Sequence, residues 1–104
     1  MNNNLTIAEH YYRGWENSDK GLLKISPDLK FKSPDAEYHS SEDFLKECWQ
    51  YSGMKMNNKI FLSGGDHVCV KYEFSMPDGS VKPCVEWLTF KKGMISEILV
   101  FYNK

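Results

Sequence analysis

Two carboxyl groups and a pair of tyrosines are the side chains best suited to chemistry. Asp35 ends the run Leu29-Lys30-Phe31-Lys32-Ser33-Pro34-Asp35. Its alternation of apolar and basic residues has the period of a half-buried strand. Parity sets Leu29, Phe31, Ser33 and, where the chain stays extended, Asp35 on one face. Glu86 shares its parity with Cys84, Leu88 and Phe90. A carboxyl on that apolar side is costly unless it is paired or protonated. Tyr11 and Tyr12 fall with Ala8 and Trp15 at i, i+3, i+4 and i+7, which is one helical face. A carboxylate accepts protons, a buried carboxylic acid keeps its own and donates a hydrogen bond, and a phenol donates one. Together these groups suit acid–base chemistry.

Each group also fits a plainer role. Asp35 follows Pro34 and equally suits a turn residue bonding nearby backbone N–H groups. Glu86 equally suits an opening in the sheet or an ion pair with a lysine. Tyr11, Tyr12 and Trp15 have the spacing of core residues, and a core face can also wall a cavity. His39, in the loop after Asp35, is the best placed of three scattered histidines. The cysteines Cys48, Cys69 and Cys84 lack disulfide or zinc spacing and read as reduced, mostly buried thiols. No His, Asp or Glu cluster has metal-ligand spacing, and no glycine-rich loop opens a helix, so no metal or cofactor is expected.

The elements that must position these groups follow from local signals. Thr6-x-x-Glu9 has the form of a capping box, which predicts a first helix from Leu5 to Asn17. Asp19 can cap a short helical turn through Leu22, Leu23 and Ile25, with Pro27 ending it. The strand from Leu29 follows. Ser40 or Ser41 then caps a second helix whose apolar face is Phe44, Leu45, Cys48 and Trp49, with Gly53 as its stop. Residues 55–63 and 67–76 read as a hairpin around Gly64-Gly65-Asp66. A three-residue loop would pair Leu62 with Val68 and Ile60 with Val70 on one face. After a turn at Pro77-Asp78-Gly79-Ser80 come strands at 81–90 and 95–102. These last two are apolar on both faces, unlike a sheet with one wet side. A second copy of the chain is the economical cover for the outer face, so a homodimer is expected.

The 104 residues predict one domain, residues 1–104. The formal net charge of −1 lacks the positive concentration that phosphate binding needs, which argues against nucleic acid as a partner. No apolar stretch reaches the roughly 18 residues of a bilayer span. Met1-Asn2-Asn3-Asn4 has neither the basic start nor the apolar run of a secretion signal, and a cytoplasmic location is expected.

This order of elements resembles the NTF2-like superfamily, most of all the SnoaL-like branch of small polyketide cyclases and the ketosteroid isomerases. The resemblance covers nearly the whole chain. It is carried by Tyr-Tyr-Arg-Gly-Trp-Glu-Asn-Ser-Asp in the first helix, Phe-Lys-Ser-Pro-Asp at the first strand, and Trp-Leu-Thr-Phe-Lys-Lys-Gly-Met-Ile near the end. It implies an α+β cone: a curved antiparallel sheet with helices packed on its concave face, around a pocket for a small apolar or aromatic molecule. In the steroid isomerases a general-base aspartate directly precedes a proline at the end of the first strand. Here that position is Ser33, and a hydroxyl is no base near neutral pH. Asp35, two residues on, is the replacement candidate. Tyr11 or Tyr12 matches the family's helix tyrosine, and Glu86 matches its protonated acid in a late strand. The resemblance therefore implies a catalytic set of Asp35, Glu86 and Tyr11, and a substrate-binding set of Tyr12, Trp15, Phe31, Ser33, His39 and Phe101. The expected function is small-molecule binding, with isomerase- or cyclase-type proton transfer on a small carbonyl compound. The alternative is a non-catalytic dimeric module whose working surface is the outer sheet face.

Overall fold

The computed structural model describes residues 3–102. Helix α1 (Asn4–Glu16) is followed by a 3-10 turn (Lys20–Leu22), strand β1 (Ile25–Lys32) and a two-residue strand β2 (Glu37–Tyr38). Helix α2 (Ser41–Cys48) runs into a second 3-10 turn (Trp49–Tyr51). Strands β3 (Met56–Gly64), β4 (His67–Ser75), β5 (Val81–Lys91) and β6 (Met94–Phe101) complete the chain.

Local chemistry explains most of these boundaries. Ser40 caps α2, its hydroxyl accepting from the Asp43 amide at 3.1 Å. The Asp19 carboxylate accepts from the Gly21 amide at 3.0 Å and starts the short turn, which is shorter than its apolar residues suggest. Ile25 already belongs to β1, and Pro27 sits within that strand rather than ending a helix. The proline is tolerated because the pairing of β1 to β6 is irregular between Ile25 and Lys30. The capping box at Thr6 is not the start of α1. Asn3 stands at the cap without a side-chain bond, and its carbonyl accepts from the Ile7 amide at 3.0 Å, which brings the helix in before Thr6. After α1 the chain folds back sharply, and the Asp19 amide donates to the Gly14 carbonyl at 2.8 Å. A Cβ on Gly14 would lie 2.8 Å from both the Asp19 carbonyl and Leu23, so this return requires glycine.

The six strands form one sheet in the order β2-β1-β6-β5-β4-β3. It is mixed rather than wholly antiparallel, because β1 runs parallel to β6. The expected three-residue hairpin loop is also corrected. Ser63 pairs with Val68 and Gly64 with His67, which leaves only Gly65 and Asp66 in the loop. Gly65 has φ +55, the sign a two-residue hairpin turn needs at its first position. Phe61, not Ile60 or Leu62, therefore shares a face with Val70.

A bulge reconciles this register with the packing of Met56. Asn57 pairs with Glu73 and Ile60 with Lys71, so β3 carries one extra residue there, with Asn58 at φ +56. Met56 before the bulge and Phe61 after it both face the helices. Ile60 and Leu62 point outward and are 56% and 68% exposed. A second bulge in β6, where Thr89 pairs with Glu97 and Phe90 with Ile95, puts Ile95 on the same side as Ile98 and Val100.

The concave face of the sheet packs on α1. Ile7 and Ala8 join Leu29, Val68, Val70, Leu88, Phe90, Ile95 and Ile98 in a closed, mainly aliphatic core. One turn further along α1, Tyr11, Tyr12 and Trp15 meet Tyr72, Cys84 and Glu86, and here the packing opens.

Candidate functional site

The opening is a cavity of about 630 Å³ between α1, α2 and the concave face. Its wall is mainly aromatic and sulfur-containing: Tyr11, Tyr12 and Trp15 from α1, Phe44 and Cys48 from α2, Met56 from β3, and Tyr72 and Phe74 from β4. Ring contacts make that wall continuous. Trp15 lies 5.7 Å from Phe44 and 4.8 Å from Trp49, and Phe31 stacks on Phe44 at 4.7 Å between centroids. Offset and edge-to-face pairs of this kind hold rings in fixed orientations.

One carboxyl group is buried in this wall. Glu86 is 6% exposed, and both of its oxygens are bonded. The Tyr12 hydroxyl donates to Oε1 at 2.8 Å, and the Tyr72 hydroxyl donates to Oε2. Burial pushes the Glu86 pKa above its ordinary value of 4.5, and the bonds from Tyr72 and Tyr12 pull it part of the way back. Burial dominates, because water is lost on all sides while only two donors replace it. The same burial, reinforced by the neighbouring Glu86, holds the Tyr11, Tyr12 and Tyr72 hydroxyls protonated far above neutral pH. The site is thus a carboxyl between two phenols, where burial shifts the balance toward its neutral form relative to water.

The mouth has different chemistry. Ser33 Oγ accepts from the Asp35 and Ala36 amides at 3.3 Å and 3.1 Å, which folds residues 33–36 into a tight turn. Asp35 stands on this turn, exposed, and its carboxylate accepts from the Tyr102 hydroxyl. Lys82 lies with its ammonium 4.0 Å from the centroid of the Tyr102 ring. Asp35, Ser33, Lys82 and Tyr102 all line the cavity. Asp35 is therefore both a turn residue and a rim residue.

The cavity brings together seven of the nine residues singled out from sequence: Tyr11, Tyr12, Trp15, Phe31, Ser33, Asp35 and Glu86. The helix tyrosine bonded to Glu86 is Tyr12, with Tyr11 alongside at 4.9 Å between rings. His39 and Phe101 stand elsewhere. His39 follows β2, is exposed and lies 3.4 Å from Glu37, and it is not among the residues lining the opening. Phe101 is on the outer face and 55% exposed, and Tyr102 takes the place expected of it. The Ser96 bulge explains this, because Ile95 and Phe101 share parity in sequence but not a face in space.

Sequence reasoning missed Tyr72, Lys82 and Tyr102. Tyr72 was findable. It shares parity with Val68 and Val70, and the register pairing Val70 with Glu86 puts it diagonally across from that acid. Cys48 and Cys84 also line the cavity, and burial raises both thiols, which leaves them poor nucleophiles.

No protein-family model matches the sequence, and neither does any curated protein. Solved structures match along nearly the full length. An NTF2-like protein of unknown function from Burkholderia pseudomallei superposes with a TM-score of 0.84 at 15% identity, covering 99% of this chain and 92% of its own. A candidate polyketide cyclase from Pseudomonas putida gives 0.81 at 12% identity, covering 93% and 89%. TerC, co-crystallised with polyporic acid, gives 0.80 at 19% identity, covering 98% and 92%. With element order, cone and neighbours in agreement, the protein has the NTF2-like fold, of the α+β class.

Proposed function

We propose that the protein binds a small, largely apolar or aromatic carbonyl compound in the cone and can catalyse proton transfer on it. The observation that carries this reading is the buried Glu86 carboxyl, held by Tyr12 and Tyr72 inside a cavity of about 630 Å³ walled by aromatic rings. A closed structural core gains nothing from a carboxyl at its centre, whereas a ligand carbonyl gains a donor aimed at its oxygen. In the proposed step Asp35 takes the proton from the carbon next to the carbonyl. Protonated Glu86 and the Tyr11 hydroxyl hydrogen-bond the enolate oxygen. Asp35 then returns the proton to another carbon, and the net change is isomerisation. Where the compound carries a second carbonyl, the enolate carbon instead attacks that carbonyl carbon and closes a ring, the C=O π bond opens, and the proton returns to the new alkoxide oxygen. The likeness to a candidate polyketide cyclase and to a protein co-crystallised with polyporic acid supports a small organic ligand.

A thermal-shift screen with small ketones, steroids and aromatic acids tests binding, since a ligand stabilises by mass action. For any compound that turns over, Asp35→Asn and Glu86→Gln are each expected to lower the rate by about a hundredfold or more. Unchanged rates in both variants would remove these acids from the mechanism.

The outer face favours a second element of the reading, a homodimer. Register lines up Leu62, Cys69, Trp87 and Leu99 in one row, and Ile60, Lys71, Val85 and Phe101 in the next. Leu62, Ile60 and Phe101 are more than half exposed, and Trp87 is 41% exposed. A contiguous apolar patch of this kind marks an interaction surface. Leu62→Glu is expected to give monomer by sedimentation with little loss of stability. A wild type that is already monomeric at high concentration would end the dimer reading without touching the cavity.

A further inference from the structure

Among the described residues lining the cavity, Lys82 is the one cationic side chain, and it is half-buried at the mouth. Its ammonium has no carboxylate within 4.0 Å, since the side-chain ion pairs among the described residues are His39–Glu37 and Lys59–Glu16. What it has is the Tyr102 ring, 4.0 Å from the ammonium to the centroid. The Tyr102 hydroxyl in turn donates to Asp35. That bond enriches the ring in electron density and engages the Asp35 carboxylate at the hydroxyl end of the ring. The ring thus parks the ammonium at the opening with hydrogen-bond donors to spare, because an aromatic face satisfies the cation without using up its three N–H groups.

We propose that Lys82 makes the cavity selective for an aromatic or otherwise apolar molecule that carries one anionic group, held at the mouth by the Lys82 ammonium while the apolar body lies along the ring wall. The proposal rests on the reading of the cavity as a ligand site and adds the charge of the ligand to it. Asp35 opposes an anion at the same rim, and its bond to Tyr102 keeps it at the hydroxyl end of the ring, whereas Lys82 is over the face. The two charges are therefore sorted to different sides of the opening, and a carboxylate or similar group is favoured on the Lys82 side.

The test uses two dyes that differ by one charged group: 1-anilinonaphthalene-8-sulfonate and its neutral parent, N-phenyl-1-naphthylamine. Both fluoresce on entering apolar sites. Lys82→Met is expected to weaken the sulfonate by about tenfold, the scale of one partly screened ion pair, and to leave the neutral dye within about twofold. Lys82→Arg should retain the sulfonate. Lys71→Met, which removes the same charge from the outer face, should leave both dyes unchanged. Equal effects of Lys82→Met on both dyes would overturn the proposal, and so would a sulfonate loss that Lys71→Met reproduces. In both cases binding of the neutral dye to the wild type leaves the cavity reading standing. If neither dye binds the wild type, the cavity reading itself falls, and the anion preference falls with it.

Discussion

The two halves of the concave face are built from the same elements and behave differently. Along α1, Ile7 and Ala8 give way to Tyr11, Tyr12 and Trp15 after one turn. Along β5, Phe90 and Leu88 give way to Glu86 and Cys84. The first half is closed, with Ala8, Leu29, Val68, Val70, Leu88, Ile95 and Ile98 fully buried. The second half is walled by rings whose shapes do not interlock, and it leaves a void. Small branched side chains fill the narrow end of a cone, while flat rings held edge-to-face at the wide end leave space between them. The closed half supplies the stability that lets the open half keep a carboxyl out of water.

Three measurements can break or sharpen this division. The largest effect belongs to the closed half. Leu88→Ala is expected to cost about 2–5 kcal/mol in denaturant unfolding, because the packed surroundings cannot collapse into the space. Met54→Ala, at the cavity wall, should cost less than about 1 kcal/mol, since it enlarges a space already open. Equal costs would mean that the two halves are packed alike.

The next effect is a pH dependence. The folded Glu86 keeps its proton above 4.5, whereas the unfolded one releases it there. The folded state thus binds more protons between the two pKa values, and Glu86 makes the protein less stable as pH rises through that window. The loss is complete above the folded pKa. Glu86→Gln does not titrate, so its stability relative to wild type should rise from about pH 4.5 upward and then level off. A relative stability that falls as pH rises would show that the folded pKa is depressed.

The smallest effect is on the carboxyl itself. Tyr72→Phe removes a hydrogen bond that lowers the Glu86 pKa, so carbon-13 titration of Glu86 should show a further upward shift. The stability cost should be about 1 kcal/mol. A Glu86 pKa that falls in this variant would overturn the account of burial opposed by two phenols.

The sequence was legible wherever structure is decided within a few residues. Ser40, Asp19 and the helical stripe Ala8, Tyr11, Tyr12 and Trp15 carry their own physics, and caps and periodicity locate them. The inward side of β4 and β5 was legible too, because their twofold alternation is unbroken. The faces of β3 and β6 were not: a hairpin loop of two residues where three were expected misplaced Ile60 and Leu62, and the extra residue in β6, which reverses parity partway, misplaced Phe101. Pro27 reads as a terminator because proline lacks an N–H, yet the irregular stretch of β1 makes no demand for one there. The parallel pairing of β1 with β6 joins segments more than sixty residues apart, and no local pattern announces it. The same distance hid the mouth, since Tyr102 meets Asp35 only once that pairing exists.

The extra residue at Asn58 in β3 is held by local bonds. The Asn58 side chain donates to Glu73, and the Lys59 ammonium donates to the Met56 carbonyl and to Glu16 at 2.7 Å each. Deleting one residue there would leave Asn57 opposite Glu73 and Ile60 opposite Lys71 with a single residue between them, so Met56 and Phe61 would both stay under the helices. What the deletion would remove is the local bend and added twist of the strand. Length variation at this point is therefore a way to reshape the chamber while every guest-facing member keeps its side of the sheet.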